Sequence, residues 1–196
     1  MGKKKSKGSK LLSGVLDDDK TLREGGGLSG KAKTRPDGGS SEFTDKDREA
    51  IAFYSGPGFR PLNKYLLDPD SVKNQRERDK FDAQAAKISN ALDKLPPDPG
   101  TTYRGTKNKP FLDRYQPGDV VDEKAFISSS KDRAEAEKFA SWDGALMEIK
   151  GKNGKSIEAD TKFQGQDEVV FDRNSKFKVT GRDDSDDLKK IFLEEV

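Results

Sequence analysis

Apolar residues recur at two different spacings along this chain, and the spacing changes near residue 100. In the first half they return every three or four positions, the spacing of one face of a helix, and the clearest run is Phe81, Ala85, Ile88 and Leu92. Helices are predicted over 44–54, where Thr44 can act as the N-cap, and over about 71–95, where two prolines end the pattern.

Beyond residue 100 the sequence changes to short runs of β-branched and aromatic residues separated by Gly, Asp and Asn, which is typical of strands and turns. The predicted strands are 101–104, 119–121, 125–128, 145–149, 168–171, 176–180 and 190–194. One short helix at about 132–140 interrupts them, with Ala134 and Phe139 expected to face the interior. Helices in one half and strands in the other predict an α+β fold.

Residues 1–40 differ from the rest of the chain in composition. They hold ten Lys and Arg against five Asp and Glu, together with nine of the 19 glycines, and they have no aromatic residue. Such a segment cannot bury enough apolar surface to offset the entropy lost on ordering. The sequence therefore predicts a flexible basic leader over 1–40 and one globular domain over 41–196.

The composition also excludes several kinds of chemistry. The chain has no cysteine and no histidine, so thiolate catalysis, a histidine general base and the commonest metal ligand are absent. It has no Walker loop and no Gly-x-Gly-x-x-Gly dinucleotide motif. No apolar run approaches the length of a spanning helix or of a signal-peptide core, so we expect no membrane association and delivery by other machinery.

Three short motifs carry the candidate chemistry: Tyr-Arg-Gly at 103–105, Ser-Ser-Ser at 128–130 and Gln-Asp-Glu at 166–168. Each is weak alone, because such tripeptides also occur at ordinary strand ends and turns. In this order, after a helix that ends in Pro-Pro, they resemble the Arg–Ser–Glu class of mono-ADP-ribosyltransferases, which includes C3-like and C2-like bacterial toxins. The resemblance covers about residues 44–196.

The resemblance implies N-terminal helices packed on a mixed two-sheet β-sandwich, with a cleft that binds NAD+ as co-substrate and no metal. Arg104 is expected to bind NAD+, since a guanidinium can place two donors on a pyrophosphate. Tyr103 and Gly105 flank it, and Gly105 would let the backbone approach the nicotinamide amide. Phe139 corresponds to the aromatic that stacks on nicotinamide, while Trp142 stands where C3-like enzymes have a phosphate-binding arginine.

The resemblance also assigns the catalytic groups. Glu168 is the expected catalytic carboxylate, because an anion bonded to the 2′-hydroxyl of the nicotinamide ribose stabilises the charge that develops at C1′. Ser128 is expected to orient Glu168 and that ribose. Ser129 replaces the family's threonine and keeps a hydroxyl, and Ser130 is predicted either to bind ligand or to cap the helix near residue 132.

Gln166 stands where arginine-modifying relatives have a second glutamate. A neutral carboxamide matches another amide or a guanine edge better than a guanidinium, so a non-arginine acceptor on a protein is favoured. Phe163, in the turn before Gln166, is expected either to contact a protein acceptor or to pack at the strand end.

The resulting hypothesis is a bacterial or phage toxin or effector domain that modifies a target-cell macromolecule. By analogy, a secretion system or phage particle would deliver it to the target-cell cytoplasm; we expect a monomer, with an immunity protein as a candidate partner. One alternative is a DNA- or RNA-modifying transferase whose leader binds phosphates. Another is a catalytically silent binding module, against which the intact Arg104, Ser128 and Glu168 argue.

Overall fold

The computed structural model describes residues 42–107, 109–141, 143–161 and 165–196. It confirms the α+β class, with helices first and an eight-stranded sheet after them. The helices are α1 (Asp45–Phe53), α2 (Phe59–Leu67), α3 (Gln75–Asp93), α4 (Lys109–Leu112) and α5 (Arg133–Lys138). The strands are β1 (Gly100–Thr106), β2 (Val120–Glu123), β3 (Ile127–Ser130), β4 (Ala145–Gly151), β5 (Lys155–Ser156), β6 (Glu168–Phe171), β7 (Ser175–Asp183) and β8 (Lys189–Glu195). Within this part of the chain, no helix combines the length and apolarity needed to span a bilayer.

Side-chain caps decide where the first long helices begin. The Thr44 hydroxyl accepts the Asp47 N–H and the Asp47 carboxylate accepts the Thr44 N–H, so α1 starts with a complete capping box. Helix α3 starts about four residues later than predicted, because the Asn74 side chain caps it by accepting the Glu77 N–H. The residues just before it form a separate short turn at Pro69–Ser71.

All seven predicted strands are present, and β6 has the predicted bounds. The others differ by a few residues at their ends, and α2, α4 and β5 were not predicted. One orientation was wrong: Ala134 is exposed and Ala136 is buried instead. Asp132 caps α5 by accepting the Ala134 N–H, which places Ala134 in the exposed first turn and turns Ala136 towards β1.

The strands form one hydrogen-bonded ladder in the order β2-β7-β8-β4-β1-β3-β6-β5, in which only β4 and β8 pair in parallel among the described strands. Strands β1 and β3 share a single residue pair, Tyr103 with Ser130. The two halves of the ladder fold over at this point, since one buried cluster contains residues from both, including Val169 of β6 and Ile191 of β8. The expected two-sheet sandwich is thus formed by two halves of one continuous ladder.

The helices cover the outer face of the half that contains β3 and β6. A second buried cluster joins apolar residues of α1, α2 and α3 to Phe126, Ile157 and Val170. Tyr54 packs edge-on against Phe126, with ring centroids 5.2 Å apart. The helical layer therefore lies directly over the two strands that carry the serine and glutamate motifs.

Candidate active site

The three predicted motifs meet at one cavity of about 400 Å³, within the size range of small-molecule sites. They meet because their strands are neighbours: Tyr103 of β1 pairs with Ser130 of β3, and Ser130 in turn pairs with Glu168 of β6. The predicted residues that line the cavity are Tyr103, Arg104, Gly105, Ser128, Ser129, Ser130, Phe139, Gln166 and Glu168.

Arg104 and Tyr54 hold Ser128 from two sides. Nη1 of Arg104 donates a 2.7 Å hydrogen bond to the Ser128 carbonyl oxygen, and the Tyr54 hydroxyl lies 3.0 Å from Ser128 Oγ. Burial raises the pKa of Tyr54 to about 12, and the charge of Glu168 adds to the rise, although the Ser128 hydrogen bond and Arg104 oppose it. Tyr54 is therefore a neutral phenol that fixes the Ser128 hydroxyl.

Glu168 begins β6 at the wall of the cavity. Its side chain is 7% exposed, and its backbone carbonyl accepts a 3.1 Å hydrogen bond from the Ile157 N–H. Its influence on the pKa of Tyr54 reflects the proximity of the two groups. A carboxylate so enclosed acts on a nearby charge with little screening from water.

Ser130 connects the two motif strands through its hydroxyl, which donates to the Gln166 carbonyl oxygen at 2.6 Å and accepts the Asp132 N–H at 2.9 Å. The predicted link to the start of α5 is therefore present, although Asp132 itself is the N-cap. Ser129 is buried and its hydroxyl donates to the Val169 carbonyl oxygen at 3.0 Å. Both hydroxyls tie β3 to β6.

Gly105 has a structural role that the sequence did not reveal. A Cβ atom at this position would lie 2.1 Å from the Ala136 carbonyl oxygen and 2.6 Å from the Ala140 nitrogen. Only glycine therefore allows the end of α5 to approach β1, which brings the half-buried Phe139 to the cavity. The expected approach of nicotinamide to Gly105 and Phe139 stays a prediction.

Sequence reasoning missed the helical wall of the cavity, which includes Tyr54, Phe59, Arg60 and Asn63. Asn63 is buried, and its Nδ2 donates to the Phe126 carbonyl oxygen at 3.1 Å. The only sequence signal was a polar residue on the otherwise apolar face of α2. Such a signal is usually overlooked, because its meaning depends on which strand the helix covers.

A second buried carboxylate, Glu123, also lines the cavity. It accepts hydrogen bonds from Arg114 and from the Tyr115 hydroxyl. The guanidinium of Arg114 lies over the rings of Phe111 and Tyr115, 4.2 and 5.0 Å from their centroids. Burial and the Glu123 charge raise the pKa of Tyr115, which keeps its phenol protonated as a donor.

Two predicted contacts, Phe163 and Trp142, lie outside the described residues. Across the residues that the structure does describe, no group of acidic side chains is arranged to hold a metal ion.

A cavity lined by an arginine, a serine and a glutamate from three adjacent strands is the arrangement that the resemblance to ADP-ribosyltransferases predicted. The chain belongs to the ADP-ribosyltransferase exoenzyme family, whose sequence profile matches residues 30–196. This confirms the resemblance. The profile begins within the predicted leader, and the boundary at residue 40 stays a prediction.

Two relatives illustrate the similarity. Mav of Mycobacterium avium, named as an NAD(+)-arginine ADP-ribosyltransferase, is 33% identical over 138 residues, which are 69% of this chain and 16% of Mav. Vis of Vibrio splendidus, named in the same way, is 29% identical over 150 residues, which are 71% of this chain and 60% of Vis. The chain therefore spans less than two thirds of either relative.

Solved structures agree with this assignment. The crystal structure of Vis in complex with agmatine is 27% identical, has a TM-score of 0.72 and covers 81% of this chain and 77% of that chain. Exoenzyme S from Pseudomonas aeruginosa, solved with carba-NAD, is 18% identical with a TM-score of 0.65, over 78% of this chain and 74% of that chain, and it shares the fold.

Proposed function

We propose that this domain is a mono-ADP-ribosyltransferase that cleaves NAD+ between nicotinamide and ribose and transfers ADP-ribose to a macromolecule. The observation that carries the proposal is the meeting of Arg104, Ser128 and Glu168 at one cavity. Family membership supports the reaction class.

The lining of the cavity suits NAD+ as substrate. Arg104 supplies a permanent positive charge and is anchored by the Ser128 carbonyl oxygen, so its remaining donors can be directed at the pyrophosphate. Phe139 offers an aromatic surface beside the close approach of α5 and β1 at Gly105. Arg104, Gly105 and Phe139 are therefore the proposed binding groups for NAD+.

In the proposed reaction, the bond between C1′ and the nicotinamide nitrogen breaks and nicotinamide leaves as a neutral molecule. Glu168 accepts a hydrogen bond from the ribose 2′-hydroxyl and stabilises the positive charge that develops on the ribose. Ser128 orients both groups. The acceptor then forms a bond to C1′ and loses its proton, so ADP-ribose is transferred without a metal or an oxidant.

We further propose a protein acceptor other than arginine. Gln166 lines the cavity two residues before Glu168 and is uncharged, so it cannot pair with a guanidinium as a glutamate would. The names of Mav and Vis favour arginine as the second candidate. A nucleic-acid acceptor is a third outcome that the same experiment can identify.

The experiment incubates the full chain with NAD+ labelled in the adenylate group and a cell lysate, before and after nuclease or protease treatment. Glu168-dependent label that resists nuclease but not protease supports a protein acceptor, and the reverse identifies nucleic acid. Failure of the wild-type chain to release nicotinamide in any lysate, with folding confirmed, would overturn the proposal and favour a silent binding module.

The acceptor class is tested with agmatine, which carries the guanidinium group of arginine. The wild-type chain should modify it poorly, and Gln166→Glu should raise the rate about tenfold by restoring a charge partner. Efficient modification of agmatine by the wild-type chain would establish arginine as the acceptor.

We also propose that the domain is a monomer that acts in the target-cell cytoplasm. A secretion system or phage particle would deliver it, and an immunity protein is a candidate partner. The support is the description of Vis as a toxin together with the family assignment.

A further inference from the structure

The turn that presents Gln166 has an unfavourable backbone conformation. Gly165 has φ 90° and Asp167 has φ 46°, so two of three consecutive residues lie in the left-handed region. For Asp167 this costs about 1 kcal/mol or more relative to ordinary backbone. Such a turn persists only where its surroundings hold it.

Within the described part of the chain, each of the three residues of this turn has a hydrogen bond that helps to hold it. Ser130 Oγ donates to the Gln166 carbonyl oxygen at 2.6 Å, and the Lys131 N–H donates to the Asp167 carbonyl oxygen at 3.1 Å. The third bond acts on Gly165, whose N–H donates to Oε1 of Glu158. Two of the bonds come from the end of β3, and only the third comes from the connection between β5 and β6.

Glu158 is well placed to restrain the turn. Its side chain is 7% exposed, and the residue before it, Ile157, donates its N–H to the Glu168 carbonyl oxygen at 3.1 Å. Glu158 therefore begins the loop at the last bond between the two strands, and its carboxylate reaches across to the residue before Gln166. A carboxylate makes a stronger bond to an N–H than a neutral acceptor.

Burial of this carboxylate needs a reason, because removing a charged or polar group from water is costly without compensation. One compensation is the bond to Gly165; the other oxygen has no partner among the described residues. A shorter or apolar residue at position 158 would fill this space without bonding the turn. The use of a glutamate therefore indicates that the position of Gly165 matters.

We propose that Glu158 is a positioning residue which, by holding Gly165, fixes the direction of the Gln166 side chain and so determines how efficiently the acceptor is used. This inference rests on the proposed transferase activity and on the role of Gln166 in acceptor recognition. Glu158 acts through the turn, so the cleavage of NAD+ at Arg104, Ser128 and Glu168 proceeds without it.

The test separates transfer from hydrolysis in the full chain. Nicotinamide release measures total NAD+ cleavage, and label bound to lysate macromolecules measures transfer. Glu158→Leu should lower transfer by about 10- to 100-fold, because a displacement of about 1 Å at a reacting group can cost about a hundredfold, while hydrolysis changes less than about threefold. Glu158→Gln keeps an acceptor oxygen for Gly165 and should restore most of the transfer.

Arg48→Gln is the matched control. Arg48 Nε lies 3.6 Å from Asp160 in the same loop, so this variant removes an ion pair of the loop without touching Gly165. Its ratio of transfer to hydrolysis should equal that of the wild-type chain. As a structural readout, amide hydrogen exchange at Gly165 should accelerate in Glu158→Leu and stay slow in Glu158→Gln and Arg48→Gln.

An unchanged ratio in Glu158→Leu, or equal losses of transfer and hydrolysis at unchanged thermal stability, would overturn the inference alone. A loss in Arg48→Gln equal to that in Glu158→Leu would show a general effect of the loop and would also overturn it. Absence of NAD+ cleavage by the wild-type chain would instead overturn the proposed function on which the inference rests.

Discussion

Two buried glutamates line the same cavity, and their surroundings differ. Glu123 is 2% exposed and is bonded to the Arg114 guanidinium and the Tyr115 hydroxyl, inside a cluster of aromatic rings. Glu168 is 7% exposed and begins β6, which pairs with the strand of Ser128, and the Ser128 hydroxyl lies 3.0 Å from that of Tyr54. Burial is nearly the same, but Glu123 is bonded within an ion pair beside aromatic rings, whereas Glu168 begins the strand that pairs with the serine motif.

We propose that the difference separates a carboxylate that supports the fold from one that performs chemistry. A charge bonded to a cation is already compensated, and removing it leaves the partner without a counter-ion. A carboxylate that lines a substrate cavity can direct its field at the charge that develops on a substrate. We therefore expect the two glutamates to respond differently to substitution.

The largest effect is expected at Glu168. Glu168→Gln keeps the shape of the side chain but removes the charge, and we expect NAD+ cleavage to fall about a thousandfold, equivalent to about 4 kcal/mol of transition-state stabilisation. The free energy of unfolding should change by less than about 1 kcal/mol. Nicotinamide release and urea unfolding measure the two quantities, and a stable variant that retains activity would remove Glu168 from catalysis.

The opposite response is expected at Glu123. Glu123→Ala should lower the free energy of unfolding by about 3 kcal/mol, because it leaves Arg114 and the buried Tyr115 hydroxyl without their acceptor. Glu123→Gln keeps one acceptor oxygen and should lose less. If either variant stayed as stable as the wild-type chain but lost NAD+ cleavage, Glu123 would belong to the catalytic group and the comparison would fail.

A smaller effect is expected at Tyr54. Tyr54→Phe removes the hydroxyl that lies 3.0 Å from Ser128 Oγ, and we expect kcat/KM for NAD+ cleavage to fall about tenfold, which corresponds to about 1.4 kcal/mol. The matched control is Tyr65→Phe, which removes a hydroxyl bonded to Asp82 on α3. Equal activities for the two variants would show that Tyr54 only packs.

The smallest effect concerns Asp47, another buried carboxylate, which is bonded like Glu123 to a cation, Lys94, at 2.8 Å. Burial raises its pKa, but hydrogen bonds from Lys94 and Thr44 outweigh this and lower it from 3.8 to about 2. Since the folded pKa is depressed, the stabilisation is present above about pH 4 and is lost as the pH falls to about 2.

We therefore expect the Tm of the wild-type chain to fall between pH 4 and pH 2 more steeply than that of Asp47→Asn, which cannot titrate at this position. Thermal unfolding followed by circular dichroism measures both slopes. Parallel slopes would show that Asp47 does not contribute to the acid sensitivity of the fold.

Prediction from sequence succeeded where the signal was local. The period of α3 and the run of β-branched and aromatic residues in β6 depend on neighbouring residues, so both elements were predicted. The two-residue strand β5 leaves no periodic pattern, and it forms only because β6 lies beside it. The inward residue of α5 was wrong because Asp132 rather than Ser130 caps the helix, which leaves Ala134 in its exposed first turn.

The candidate site residues differ in the same way between local sequence signals and contacts made only in the fold. Arg104, Ser128 and Glu168 were predicted from the motif order and the family resemblance that it carries, and the structure brings them to one cavity. Tyr54 and Glu158 carried no signal in the sequence. Tyr54 acts through a partner 74 positions away, and Glu158 acts through a partner seven positions away.

The sequence by itself determined the helix and strand content, the motif order and the residue types available for chemistry, because these depend on neighbouring residues and composition. Only the tertiary structure decided that one ladder folds into two facing halves, that Glu123 is compensated by Arg114, and that Glu158 holds the turn at Gly165. The physical reason is that hydrogen bonds and charge pairs form wherever the folded chain brings their atoms together, and separation along the sequence does not reveal that distance.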